Sequence, residues 1–168
     1  IVTIMRGTGL SRPAFYQYFK NVPVLIEELL RDLEVEMHEA ATAWFLSEGP
    51  ANDKIRESLG AIIAVCRSHG PVFRAISESA PHDAKLEASW ARFMGSWDDA
   101  VEARIRKGQA EGFYQDCDAA MVARALNRMD ASILIDGFGR RQQRDPEVVL
   151  DALHTIWSRT LMLPAYFD

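Results

Sequence analysis

Apolar residues recur every three or four positions along most of this chain. The first long stretch of this kind covers residues 22–46 and places Leu25, Leu29, Leu33 and Met37 on one helical face. The same spacing predicts further helices over residues 84–107, 119–136 and from 146 onward. Asn-Gly hairpin turns and sustained alternation of apolar and polar residues are absent from the sequence. The pattern therefore predicts an all-α fold.

The second long helix is expected to begin after the loop Ser47-Glu48-Gly49-Pro50. Asn52 or Asp53 is predicted to cap it, because short polar side chains accept hydrogen bonds from the first free backbone N–H groups. His69-Gly70-Pro71 is expected to stop this helix, and a separate short helix is expected near 72–79.

Further boundaries are predicted at acids and glycines. Asp116 or Asp118 is expected to cap the helix over 119–136, and Asp145-Pro146-Glu147 has the cap, proline and acid typical of a helix start. Four glycines are expected to end the helices that precede them: Gly108, Gly112, Gly137 and Gly139.

Residues 1–21 have a different organisation. A short apolar helix is predicted through Gly7, followed by the turn Thr8-Gly9-Leu10 and a second short helix that Ser11 caps. This is the outline of a helix-turn-helix, whose second helix fits the major groove of DNA, although a helical corner of an enzyme shares it. The predicted outer face carries side chains that suit phosphates or base edges: Arg12, Tyr16, Gln17 and Lys20.

The charge distribution agrees with a DNA-binding head on an acidic body. The chain has 168 residues, the size of one domain with a small appendage, and a formal net charge of −5. Residues 1–26 contain three basic side chains and no acid, so the head carries +3 and the rest −8. A basic head favours contact with phosphates, and the acidic remainder favours some other partner.

The head resembles the DNA-binding signature of TetR-type one-component transcriptional repressors. Residues 4–19 read IMRGTGLSRPAFYQYF, and the glycine-aliphatic-serine turn and the Tyr-x-x-Phe ending are its most specific parts. The body is similar to the subgroup of the mycobacterial ethionamide-resistance repressor in four stretches: Ser68-His69-Gly70-Pro71-Val72, residues 86–94 (LEASWARFM), residues 125–129 (ALNRM) and residues 153–157 (LHTIW). The chain is thus identified as a TetR-like protein over nearly its whole length.

The resemblance implies a ligand-responsive homodimer that binds a double-stranded DNA operator, is released by a hydrophobic small molecule, and pairs through its last two long helices. It divides the chain into a partial helix-turn-helix domain over 1–21 and a ligand-binding and dimerisation domain over 22–168. The DNA contacts it implies are Ser11, Arg12, Pro13, Ala14, Tyr16, Gln17, Tyr18 and Lys20. Helical periodicity places Tyr18 toward the core, so the two assignments differ for this residue.

Three departures from the family pattern bear on the head. Val22 stands where the family usually has a lysine after Tyr-x-x-Phe, and Met5 replaces a usual alanine. The first helix of the family's head is absent from the sequence, which begins with Ile1, so we expect a chain that starts within a longer protein.

Apolar stripes on several helices are compatible with a packed core or with a ligand cavity. The resemblance favours the cavity, and Asn127 and Asp130 would add polar groups to it. The predicted ligand-binding residues are Ile55, Leu59, Ile62, Cys66, Trp90, Met94, Trp97, Val101, Asn127, Asp130 and Trp157. Asn127 is expected either to form a hydrogen bond with neighbouring groups of the same protein or to be left free to bond with a ligand.

Other classes of protein find less support in the sequence. It contains no known catalytic motif, and its four histidines lack metal-ligand spacing, so we expect no enzyme, no cofactor and no metal site. Two cysteines, no apolar segment of membrane-spanning length and no visible secretory leader favour a cytoplasmic protein. An all-α carrier of small molecules without DNA binding remains the alternative.

Overall fold

The computed structural model describes residues 22–166. Within this range the chain forms five long helices: α1 (Val22–Phe45), α2 (Asn52–Ser79), α3 (Ala84–Ala110), α4 (Ala119–Phe138) and α5 (Pro146–Leu161). Short 3-10 turns cover Ala80–His82 and Pro164–Tyr166. The described residues form no sheet, apart from one antiparallel bridge between Tyr114 and Met162. The all-α prediction is confirmed, and the residues proposed to contact DNA lie outside the described part of the chain.

The helices pack around one shared apolar core. α1 lies against α2 and α3, α2 also packs on α4 and α5, and α3 packs on α4. Every helix contributes fully buried apolar side chains, among them Ala41, Ile55, Val101, Phe138 and Leu153. Among the described helices, none combines the length and apolar character that a bilayer span requires.

The acids predicted to cap the last two helices do so. Asp118 accepts a hydrogen bond from the backbone N–H of Met121, and Asp145 accepts one from Glu147 beside the first-turn Pro146. Asp83 caps α3 in the same way and was not predicted.

The predicted cap of α2 is wrong. The cap residue is Ala51, which has a left-handed backbone (φ 55°) and makes no side-chain cap bond. Asn52 lies inside the first turn, where its Oδ1 accepts a hydrogen bond from the Ser158 hydroxyl (2.6 Å) and lies 3.0 Å from Nε2 of His154. Asn52 therefore joins the start of α2 to α5.

The predicted stop at residues 69–71 is also wrong, because α2 continues through Pro71 to Ser79. A proline inside a helix leaves the carbonyl four residues earlier without its N–H donor. Here the side-chain amide of Gln143 donates to that carbonyl, the Arg67 oxygen, at 2.9 Å. A distant side chain thus compensates for the bond that Pro71 removes.

Two glycines that were predicted to end helices instead permit close packing. A Cβ at Gly70 would lie 2.3 Å from the Phe138 carbonyl oxygen, and one at Gly108 would lie 2.3 Å from the Tyr114 ring. Gly108 and Gly137 lie inside α3 and α4, whereas Gly139 is the C-cap of α4 and Gly112 follows α3 with φ 78°.

Candidate functional site

An apolar cavity of about 80 Å³ lies between the helices. Its wall contains all eleven residues that were predicted to bind a ligand: Ile55, Leu59, Ile62, Cys66, Trp90, Met94, Trp97, Val101, Asn127, Asp130 and Trp157. The helical spacing of these residues explains the agreement, because each stripe occupies the inward face of its helix. The structure therefore brings the predicted set together around one space.

The α1 wall of the cavity was missed. Met37, Ala41, Trp44 and Phe45 line it. Their spacing had indicated an apolar face of α1, but no sequence pattern distinguishes a face that borders a cavity from one that borders side chains. The other lining residues that sequence reasoning missed are Ser58, Phe73, Phe93, Ala131, Leu134 and Ile135.

All four tryptophans of the chain line this cavity. The Trp44 and Trp157 rings meet edge to face at 5.3 Å, and Trp90 stacks on Phe93 at 5.4 Å. Trp97 stacks on His38 at 4.3 Å, and its buried indole nitrogen has no hydrogen-bond partner in the described structure. The cavity thus has aromatic walls and one unused donor among them.

The side chain of Asn127 is hydrogen-bonded within the protein, to a residue of α3. Its amide nitrogen donates to the Asp98 carboxylate at 3.0 Å, and Arg128 donates to both oxygens of the same carboxylate at 3.2 and 2.9 Å. A carboxylate held by a two-pronged guanidinium is fixed in orientation. Asp98 in turn fixes the side chain of Asn127 at the cavity wall.

Asp130 is the acidic side chain of the wall. The residue keeps some accessible surface, but its carboxyl group is enclosed by protein. The Trp157 indole N–H is 3.1 Å from both carboxyl oxygens. Burial, which disfavours the charged form, raises the pKa of Asp130 to about 7, and the Trp157 bond opposes that rise. The carboxyl group therefore holds its proton to a higher pH than an exposed carboxyl group does.

Cys66 shares this part of the wall. Burial, helped by the nearby Asp130 charge, raises the pKa of its thiol to about 12. A thiol with such a pKa stays protonated and is a poor nucleophile at neutral pH. Among the described residues, no group of histidines, cysteines and acids is placed to hold a metal ion.

The last turn of α1 is joined to the cavity wall by hydrogen bonds. The buried hydroxyl of Ser58 on α2 accepts from the Trp44 backbone N–H at 3.0 Å and donates to the Ala41 carbonyl at 3.2 Å. Arg104 on α3 donates to the Trp44 carbonyl at 3.2 Å. These bonds tie the last turn of α1 to both α2 and α3.

A surface pocket lies next to the cavity. Trp90, Ala131 and Ile135 line both spaces, and the outer pocket also contains charged side chains of both signs, including Arg74 and Asp136. These three shared residues separate the cavity from the outer pocket.

Comparison with solved structures defines the class of fold. A chain from Syntrophomonas wolfei that is assigned to the TetR family of transcriptional regulators superposes with a TM-score of 0.75, at 15% identity, over 98% of this chain and 86% of its own. The TetR-family regulator PfmR from Thermus thermophilus superposes with a TM-score of 0.71, at 19% identity, over 95% and 87%. The fold is that of a TetR-type regulator.

The sequence comparisons identify the particular family. Residues 55–162, more than half of the chain, match the family model of the C-terminal domain of the transcriptional regulator EthR. The HTH-type transcriptional regulator EthR of Mycobacterium tuberculosis is 30% identical over 160 residues, which are 92% of this chain and 73% of that protein. The chain belongs to the EthR family of TetR-type transcriptional regulators. It is a DNA-binding regulator and not an enzyme, and these relatives give no support to the carrier alternative.

Proposed function

We propose that this regulator is a homodimeric repressor that leaves its operator when an elongated, mostly hydrophobic molecule occupies the cavity. The cavity itself is the observation that carries the proposal, because its wall is mostly apolar and has few polar side chains, namely Ser58, Asn127 and Asp130. Small-molecule sites have this composition, with few polar groups that orient the guest.

The position of α1 supports a coupling between the cavity and the head. α1 supplies Trp44 and Phe45 to the cavity wall and directly follows the segment 1–21, which resembles a DNA-binding head. α1 is also bonded to α3, where Ser89 donates to Glu27 at 3.1 Å and Ser96 donates to Glu34. A ligand that binds better to one placement of α1 shifts the population toward that placement and lowers operator affinity accordingly.

The outer faces of α4 and α5 support pairing with a second copy. Met121 and Val148 are 62% and 64% exposed, and Ile156 is 39% exposed on the last helix. Exposed apolar side chains on neighbouring helices favour a protein interface. Sedimentation of the protein is expected to give twice the protomer mass. In such a dimer bound to DNA, the two heads would lie about 34–36 Å apart, in successive major grooves.

A mobility-shift assay tests the proposal, using the full protein and the DNA upstream of its own gene. We expect a retarded band whose affinity falls steeply with salt, since phosphate contacts release counterions. Replacing Arg12→Ala together with Tyr16→Phe is expected to weaken binding by about tenfold or more, because each base or phosphate contact contributes roughly 1–3 kcal/mol. Unchanged affinity in this double variant would contradict the assignment of the head.

The same assay tests the cavity with phenylbutanol, an uncharged elongated probe. The probe is expected to weaken operator binding by the wild-type protein. In the matched variant Ala131→Phe, a ring fills part of the cavity, so operator binding should persist in the presence of the probe. Equal release of both proteins would place the probe outside the cavity and overturn this part of the proposal.

A further inference from the structure

The cavity holds the carboxyl group of Asp130, and no cationic side chain among residues 22–166 pairs with it. In the described structure the polar contact of Asp130 is the Trp157 indole N–H, which is shared between both oxygens at 3.1 Å. A carboxylate offers about four acceptor positions, so one shared donor leaves most of them unused. By contrast, Asp98 on α3 receives three hydrogen bonds from Asn127 and Arg128.

The surroundings of Asp130 suit a cation. Trp44, Trp90, Trp97 and Trp157 line the same cavity, with Phe45, Phe73 and Phe93 among them. The faces of aromatic rings attract cations, and tryptophan does so most strongly. An ammonium group inside this cavity would lie among one carboxylate and several aromatic rings, a combination that neither an anionic nor a neutral ligand exploits.

We propose that the effector is an elongated apolar molecule that carries a protonated amine, and that its ammonium group pairs with the Asp130 carboxylate. This inference rests on the proposed function, because it names the ligand class of the same cavity. The apolar part of the molecule lies against Leu59, Met94 and Val101, and the ammonium group lies at the α4 side of the cavity.

The charges around Asp130 allow this pairing. Cys66 faces it from α2 and stays a neutral thiol, because burial and Asp130 itself raise the pKa of that thiol. Trp157 faces it from α5 and is uncharged, while Asn127 on α4 is a neutral amide. The carboxylate of Asp98 on α3 is already paired with Arg128. The incoming ammonium group therefore has no cationic competitor among the described cavity residues.

A fluorescence titration with three matched probes tests the inference. Phenylbutylamine, phenylbutanol and phenylbutyrate share one apolar part and differ in charge, and all four tryptophans line the cavity as internal reporters. At pH 8 the wild-type protein is expected to bind the amine about 10–100-fold more tightly than the alcohol, the ratio expected for a hydrogen bond between charged groups. The acid should bind more weakly than the alcohol because its carboxylate meets Asp130.

The variant Asp130→Asn removes the charge and keeps an oxygen that accepts from Trp157. The preference for the amine is expected to disappear, while the affinity for the alcohol stays within about twofold of the wild type. Asp99→Asn is the matched control, since it removes an exposed carboxylate on α3 that does not line the cavity. It should leave the preference intact.

A pH series on the unaltered protein gives a second, independent measurement. Asp130 has a pKa of about 7, so the preference for the amine should be largest at pH 8 and decline toward pH 6 as the carboxyl group takes up a proton. Binding of the alcohol should not follow this trend. Equal affinity for amine and alcohol at pH 8, or a preference that survives Asp130→Asn, would overturn the inference and leave the cavity proposal standing. Failure of every probe to alter the fluorescence would overturn both.

Discussion

Two charged side chains lie inside the helical body, and their surroundings differ. Arg104 on α3 is 3% exposed and lies between the Trp44 and Tyr114 rings, 5.6 and 5.1 Å from their centres. It donates to the Trp44 carbonyl and the Ser47 hydroxyl, both at 3.2 Å. These groups close the C-terminal end of α1, where the helix dipole favours a cation.

Asp130 on α4 has no comparable set of partners. One indole N–H reaches its two oxygens, and apolar and aromatic side chains form the rest of the cavity around it. Arg104 leaves only its Nη1 without a hydrogen bond, and hydrogen bonds and ring contacts offset part of the cost of its burial, whereas the burial of Asp130 is offset by a single donor. The difference separates a structural charge from one that is available to a ligand.

The largest expected effect comes from Asp130→Asn. The pKa of Asp130 is about 7 in the folded protein, and its ordinary value is 3.8. Between about pH 4 and about pH 7 the carboxyl group therefore carries a proton in the folded protein that it has lost in the unfolded protein. Asp130 therefore lowers the free energy of unfolding progressively as pH rises from about 4 to about 7, and the full penalty is present above 7. The variant should gain about 3–4 kcal/mol over the wild type at pH 8 and almost nothing near pH 4.

Urea unfolding of both proteins across this pH range measures the difference. A constant difference between the two curves would mean that the carboxyl group is equally solvated in both states, and the contrast with Arg104 would then fail.

Replacing Arg104 should lower the free energy of unfolding, whereas Asp130→Asn should raise it. Arg104→Ala removes both the charged donor and the packed stem, so we expect a loss of about 3 kcal/mol in the free energy of unfolding. Arg104→Met keeps most of the volume and should lose about 1–2 kcal/mol, which isolates the bonds to α1. Arg106, an exposed residue of the same helix, is the control and should change stability by less than about 0.5 kcal/mol when replaced by alanine. If Arg104→Met is as stable as the wild type, the buried guanidinium contributes nothing to the fold.

A smaller effect sharpens the account of Asp130. Trp157→Phe removes the N–H that donates to Asp130 and retains an aromatic ring. The free energy of unfolding is expected to fall by about 1–2 kcal/mol at pH 8, where the Asp130 carboxylate is charged. At pH 5 the loss should be smaller, because a protonated carboxyl group depends less on the donor. In the Asp130→Asn background the pH dependence of the loss should vanish, and a double-mutant cycle measures the coupling. A loss that is the same at both pH values would assign Trp157 a packing role alone.

Much of the fold and the site could be predicted because both depend on local periodicity. Helical spacing placed Trp90, Met94, Trp97 and Val101 on the inward face of α3, and the family resemblance then favoured a cavity over a packed core at that face. The α1 wall was missed because the space beside Trp44 exists only once α2 and α5 are in place. Asp130 was predicted to line the cavity, but its hydrogen-bond donor within residues 22–166 is Trp157, which lies 27 positions away along the chain.

The sequence by itself determined that the chain is helical, the start of α5 at Asp145 and, from two candidate acids, a cap of α4 at Asp118, since these depend on neighbouring residues in one segment. Tertiary structure decided what each boundary residue does. α2 passes through Pro71, and the Arg67 carbonyl that Pro71 leaves without a donor accepts a hydrogen bond from Gln143, 76 positions further along the chain. Gly70 and Gly108 have no room for a Cβ, because the Phe138 carbonyl and the Tyr114 ring pack directly against their backbones. The same reason separates Arg104 from Asp130, because the number of partners of a buried charge depends on which distant groups packing brings beside it.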